Sequence, residues 1–166
     1  MLRRPTALSI GNFDGVHLGH LAMLSQVADA AHAHALVPTV LTFEPHPRQF
    51  FAEKNRRPEL SPPQINGLRD KLDALNQAGI EQVLLARFNQ SFAEMSAQDF
   101  VEKLLIKGLN AHWLIVGEDF RFGRQRSGDV ALLKKMGPQY GLEVHTLSEV
   151  KDQKGHRVSS LRSALP

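Results

Sequence analysis

The chain alternates short apolar runs with longer segments of helical periodicity, and that alternation restricts its fold more than any other feature. Residues 6–10, 36–43, 82–86, 112–116 and 143–147 read as strands, apolar and too short to be helices. Between the first two, Leu21, Leu24, Val27, Ala28 and Ala31 recur at helical spacing over residues 17–34. Pro45 and Pro47 end the second strand. Ser61-Pro62 has the form of a helix start, and Ile65, Leu68, Leu72 and Leu75 then line one face as far as Gly79. Ser96 and Asp99 resemble a capping box, and the helix they open carries Phe100, Leu104 and Leu105 to Gly108. Residues 117–128 read as a loop, and a helix over 129–140 stops before Gly141. Strands joined by helices of this length imply right-handed crossovers, hence a mostly parallel sheet covered on both faces. The expected class is α/β, a three-layer αβα architecture, with ligands beyond the carboxyl ends of the strands.

Length and composition narrow the function. A chain of 166 residues suits one domain, residues 1–166, and 42% hydrophobic with 22% charged residues excludes wholesale disorder. The absence of cysteine removes disulfides, thiolate metal sites and cysteine nucleophiles. No apolar run approaches the ~18 residues of a membrane span, and no signal-peptide core follows Arg3 and Arg4, so a cytoplasmic location is expected. The net charge of +3 suits a small anionic ligand or a chance surface excess equally. No basic stripe with interleaved aromatics points to nucleic acid.

The loop after the first strand reads Gly11-Asn12-Phe13-Asp14-Gly15-Val16-His17-Leu18-Gly19-His20. It lacks both Gly-x-Gly-x-x-Gly and Gly-Lys-Ser/Thr, so it is neither a dinucleotide fingerprint nor a Walker loop. His17 and His20, three apart at a helix start, project from one side. Gly19 opens the backbone to an anion, and the helix amino terminus adds free N–H groups and partial positive charge. Such a loop can cradle phosphate. The same two histidines could instead cap or decorate the helix, and zinc would need a third ligand that is not evident.

Two further segments stand at strand ends. Phe43-Glu44-Pro45-His46-Pro47 is a rigid, N–H-poor stretch that holds His46 between two prolines, and a stiff turn accounts for it without chemistry. Gly117-Glu118-Asp119-Phe120-Arg121-Phe122-Gly123 follows the fourth strand, while Arg124 and Arg126 read as solvated charges.

Gly15 to His20 is similar to the His-x-Gly-His signature of the nucleotidyltransferase superfamily, and the whole string from Gly11 resembles the adenylyltransferase module of bacterial FAD synthetases. The Phe-Glu-Pro-His-Pro segment and the Gly117–Gly123 loop resemble that family in order, as does Leu85-Ala86-Arg87-Phe88-Asn89, to which only packing is assigned. The resemblance implies a Rossmann-like nucleotidyltransferase fold and the reaction of ATP with FMN to give FAD and pyrophosphate, with Mg2+. It implies His17, His20 and Arg162 as catalytic residues. Gly11, Asn12, Phe13, Asp14, Gly15 and Gly19 would shape the nucleotide floor. Pro45, His46 and Pro47 would form a flavin-side wall, and Asp119 would meet the polar edge of an isoalloxazine packed along Phe120 and its neighbouring aromatic. Arg157, Ser159 and Ser160 would close over the β- and γ-phosphates.

One departure falls near the end. The family pattern Arg-Ile/Val-Ser-Ser-Thr-x-x-Arg meets Arg157-Val158-Ser159-Ser160-Leu161-Arg162 here, two residues short and without the threonine. Two missing residues turn Arg162 by about 200° around a regular helix. A catalytically incomplete nucleotide- or flavin-binding module, or a transferase for another phosphorylated acceptor, is the alternative expectation. Members of that family continue into a riboflavin kinase domain, and the expectation for residues 1–166 is the adenylyltransferase module without it.

Overall fold

The computed structural model describes residues 4–13, 18–56, 67–147, 150–151 and 157–158. Five strands form one parallel sheet: β1 (Thr6–Ile10), β2 (Val37–Glu44), β3 (Gln82–Arg87), β4 (Ala111–Gly117) and, after two short strands, β7 (Glu143–Leu147). Their spatial order is β3-β2-β1-β4-β7. β1 is the centre, with Leu8 opposite Thr39 on one side and Leu114 on the other. All five of its residues are buried, as a strand covered on both faces requires.

Successive strand residues point to opposite faces, and the core accordingly divides in two. Ala7, Val40, Trp113 and Ile115 pack with Leu24, Val27 and Ala31 of helix α1 (Leu18–His34) and Leu75 of α3 (Leu68–Gln77). Leu8, Ile10, Leu41, Phe43, Leu114 and Val116 pack on the other face. Their partners are Phe100, Val101 and Leu105, with Leu133 of α6 (Val130–Met136). The three layers match the architecture expected from the alternation of elements.

The details differ in instructive ways. Leu21, assigned to the inner stripe of α1, is 41% exposed, because the buried stripe runs through Met23, Leu24, Val27, Ala30 and Ala31. Ser61-Pro62 and Ile65 lie outside the described residues; in the described part of α3, Leu75 is buried and Leu68 is exposed. Two short helices were not foreseen, α2 (Pro47–Lys54) and α4 (Gln90–Ala93). Ser96 does cap its helix, its Oγ accepting from the Asp99 amide, while the Asp99 carboxylate pairs with Lys103 one turn on. That helix begins as α5 (Ala97–Asp99) and widens into a π-helix over Phe100–Gly108, extended by the i→i−5 bond from the Leu109 amide to the Leu104 carbonyl.

Residues 117–128 are more ordered than a plain loop. β5 (Arg121–Phe122) pairs antiparallel with β6 (Gly128–Asp129) around a 3-10 turn at Arg124–Arg126. Gly123 has φ +79, and a Cβ there would lie 2.8 Å from the backbone of Ala97, so no larger residue fits. Asp129 then caps α6, its Oδ1 accepting from the Leu132 amide. A second 3-10 turn, Gly137–Tyr140, leads to left-handed Gly141 and into β7. The short strands β8 (Val150–Lys151) and β9 (Arg157–Val158) pair antiparallel.

Candidate functional site

Because all five strands of the sheet are parallel, the segments that follow them emerge along one rim. Gly11–Phe13 follows β1, Pro45–Pro47 follows β2 and Glu118–Phe120 follows β4. The chain moves from β1 to β2 and β3 on one side, then returns to β4 and β7 on the other. The loops after β1 and β4 therefore leave in opposite directions and open a crevice between them, where ligands of such sheets bind.

The turn after β1 is held tightly. The Gly11 amide donates to the Leu41 carbonyl at 3.1 Å, joining the turn to β2. The Asn12 carbonyl accepts from Thr42 Oγ1 at 3.1 Å and from Lys71 Nζ at 2.8 Å, so both of its lone pairs are engaged. Phe13 takes a left-handed conformation, φ 53, and buries its ring. That ring meets the His20 imidazole with centroids 5.0 Å apart at 57°. His20 lies on the inner stripe of α1, one turn before Leu24. Among the described residues, two buried polar atoms here have no hydrogen-bond partner, Asn12 Oδ1 and Ser9 Oγ. A buried oxygen left unsatisfied is costly, and a bound water, ion or ligand group is one way to offset that cost.

The turn after β2 is built on aromatic rings. Phe88, just past β3, lies against Phe43, Phe50, Phe51 and Phe92 at centroid distances of 5.4 to 6.1 Å. The Phe88 amide also donates to the Glu44 carbonyl, tying β3 to the start of the turn. The packing assigned to the Phe88 segment is thus observed. His46 is half-buried, and its Nδ1 accepts from the Arg48 amide at 3.0 Å, capping α2. An amide can only donate, so Nδ1 is unprotonated in this arrangement.

After β4 the Phe120 amide closes onto the Gly117 carbonyl at 3.1 Å, which leaves Glu118 and Asp119 exposed at the tip of the turn. The two aromatics of this loop do not share one role. Phe122 is buried against Phe100 at 4.9 Å and belongs to the core, so it cannot lie along a ligand. Phe120 is half-buried and stacks on Phe122 at 5.6 Å and 19°. Arg121 faces Asp129 at 4.0 Å, a long and exposed pairing.

Of the residues singled out in the sequence, Gly11, Asn12, Phe13, Gly19, His20, Pro45, His46, Pro47, Asp119 and Phe120 stand at or beside this rim. Asp14, Gly15, His17, Ser159, Ser160 and Arg162 lie outside the described residues, and of Arg157 only the backbone is described, in β9. Lys71 was not among the sequence candidates. Its position four residues before the buried Leu75 is the signal that could have found it, since that spacing places both on one helical face. Among the described residues no three His, Asp or Glu side chains gather as a metal site, and no helix is long and apolar enough to cross a membrane.

The rim, the crevice and the turn that opens on His20 define an α/β protein of the Rossmann-like nucleotidyltransferase type. The FAD synthetase family model matches residues 1–162, and the chain belongs to that family. It is 41% identical over 160 residues to the bifunctional riboflavin kinase/FMN adenylyltransferase of Escherichia coli K12, covering 95% of this chain and 49% of that protein. The protein of the same name from Buchnera aphidicola of Schizaphis graminum is 37% identical over 155 residues, covering 93% and 48%. The chain therefore spans about half the length of the curated relatives it matches. A crystal structure described as a macrolide-efflux protein from Streptococcus pneumoniae is similar in fold. Its TM-score is 0.75 at 27% identity, covering 98% of this chain and 52% of that one.

Proposed function

We propose that this chain transfers the adenylyl group of ATP to FMN, giving FAD and pyrophosphate. The observation that carries this reading is membership of the FAD synthetase family across residues 1–162. A phosphate oxygen of FMN attacks the α-phosphorus of ATP; the new P–O bond forms as the bond to the β-phosphate oxygen breaks, and pyrophosphate leaves. No covalent intermediate with the protein is required, so alignment and charge neutralisation supply the catalysis.

The division of labour follows the family resemblance. His20, held against Phe13, would donate to the α-phosphate as charge moves to the leaving group. His17 would hold the triphosphate, with Gly11, Asn12, Asp14, Gly15 and Gly19 as the floor. Arg157, Ser159, Ser160 and Arg162 would close over the β- and γ-phosphates. Pro45, His46 and Pro47, backed by the ring cluster at Phe88, would wall the flavin, with Asp119 and Phe120 on the opposite side of the crevice. Mg2+ fits this donor set as an ion carried by the nucleotide. Such an ion would need few protein ligands, and Asn12 Oδ1, a hard oxygen without a partner among the described residues, would be one available to it. When bound, it would neutralise charge on the triphosphate. A riboflavin kinase activity, named in the relatives, is the natural source of FMN. ATP and FMN are intracellular metabolites, so a cytoplasmic location goes with this reading.

Incubation with ATP, Mg2+ and FMN, followed by chromatography, should yield FAD. His20→Ala should leave the fold intact, by circular dichroism, and lower adenylyl transfer at least ~100-fold. Near-normal turnover by that variant removes His20 from the mechanism. The shortened Ser159-Ser160-Leu161-Arg162 segment favours a second reading, a module that binds without turnover; calorimetric binding of ATP and FMN with no FAD formed would establish it.

A further inference from the structure

We propose that Lys71 is a positioning residue for the adenylyl-transfer site, acting through the peptide between Asn12 and Phe13 to set the His20 imidazole. Among the described residues Lys71 is the only buried charged side chain, 6% exposed on α3. An ammonium group is rarely buried unless it has work to do for a partner. Its Nζ lies 2.8 Å from the Asn12 carbonyl, and Thr42 Oγ1 reaches the same oxygen at 3.1 Å. A cation from α3 and a hydroxyl from β2 thus grip one carbonyl and fix the plane of the peptide that follows.

That plane determines what comes next. Phe13 must leave it with φ 53, a left-handed conformation that is strained for a residue with a Cβ and persists only where its surroundings impose it. The left-handed turn sends the Phe13 ring inward, where it is buried and stands 5.0 Å from His20. The chain of contacts runs from Lys71 to the Asn12 carbonyl, to the backbone of Phe13, to its ring and to the imidazole.

This inference rests on the reading of His20 above, so its test has two arms. The first records the His20 ring resonances by NMR in the substrate-free chain, as wild type, Lys71→Met and Lys71→Arg. The second measures kcat and KM for ATP and FMN on the same three proteins. Lys71→Met should move the His20 resonances and lower kcat roughly ten- to 100-fold with KM for FMN little changed, and Lys71→Arg should recover most of both. His20 resonances that stay at their wild-type positions in Lys71→Met overturn the proposal, whatever happens to kcat or to the melting temperature. So does a wild-type kcat. If Lys71→Met does not fold, Lys71→Gln, which keeps a donor without the charge, is read in the same two ways. If the wild-type chain forms no FAD, the proposed reaction fails and the NMR arm alone decides the grip.

Discussion

Asp119 sits at the tip of a turn closed by the Phe120 amide on the Gly117 carbonyl, exposed and across the crevice from the Gly11–Phe13 turn. A carboxylate there reaches a ligand's polar edge without first being desolvated. Asp119→Ala should therefore weaken FMN binding by roughly tenfold, the scale of a charged hydrogen bond, and ATP binding much less. Equal losses in calorimetry would detach Asp119 from the flavin. Sequence made this rim visible because Gly11, Pro45 and Pro47, and Gly117 each punctuate the end of an apolar run. Lys71 escaped, since a lysine on an amphipathic helix ordinarily marks the solvated face, and only the approach of α3 to the turn after β1 buries it. The conformation of Phe13 was equally hidden, because nothing in its side chain favours a positive φ.

The elements were more legible than the residues, and their failures have local causes. β1 and β7 fall where the apolar runs place them, and α1 begins within a residue of the expected start. α2 and α4 are 8 and 4 residues long, too short for a helical period to declare itself. The π-helix was read as an ordinary one because Phe100, Leu104 and Gly108 satisfy that period as well. This wide helix is braced from outside by Tyr140, whose hydroxyl donates to Glu102. The bond holds the Glu102 carboxyl below its ordinary range and the Tyr140 hydroxyl above its own. The signs of the two effects follow. A depressed carboxylate contributes its stability above the unfolded pKa, about 4.3, and loses it as pH falls through the folded value. A raised tyrosine contributes below about 10 and loses it as pH rises through the folded value. The difference in melting temperature between wild type and Tyr140→Phe should be widest between these limits and close at both ends. A difference independent of pH would mean that the phenol acts by packing alone.

At the scale of the molecule, one sheet separates two cores, and strand alternation assigns each residue to one of them. Leu114, fully buried on the interior strand β4, belongs to the core beneath the π-helix and α6. Leu114→Ala should cost about 2–5 kcal/mol, read as a lower urea midpoint with an unchanged slope. A loss below about 1 kcal/mol would show that the surrounding side chains collapse into the space. β1 carries a further consequence. It is bonded on one side to β2, with Thr6 opposite Val37, and on the other to β4; Thr6 Oγ1 also donates to the carbonyl of Leu109, two residues before β4, across 103 positions of chain. The first strand to be translated is thus the innermost of the sheet and is finished among the last. A nascent polypeptide stopped short of residue 111 would present β1 with one flank zipped and the other bare, a sticky margin on which a holdase or a second unfinished copy could settle.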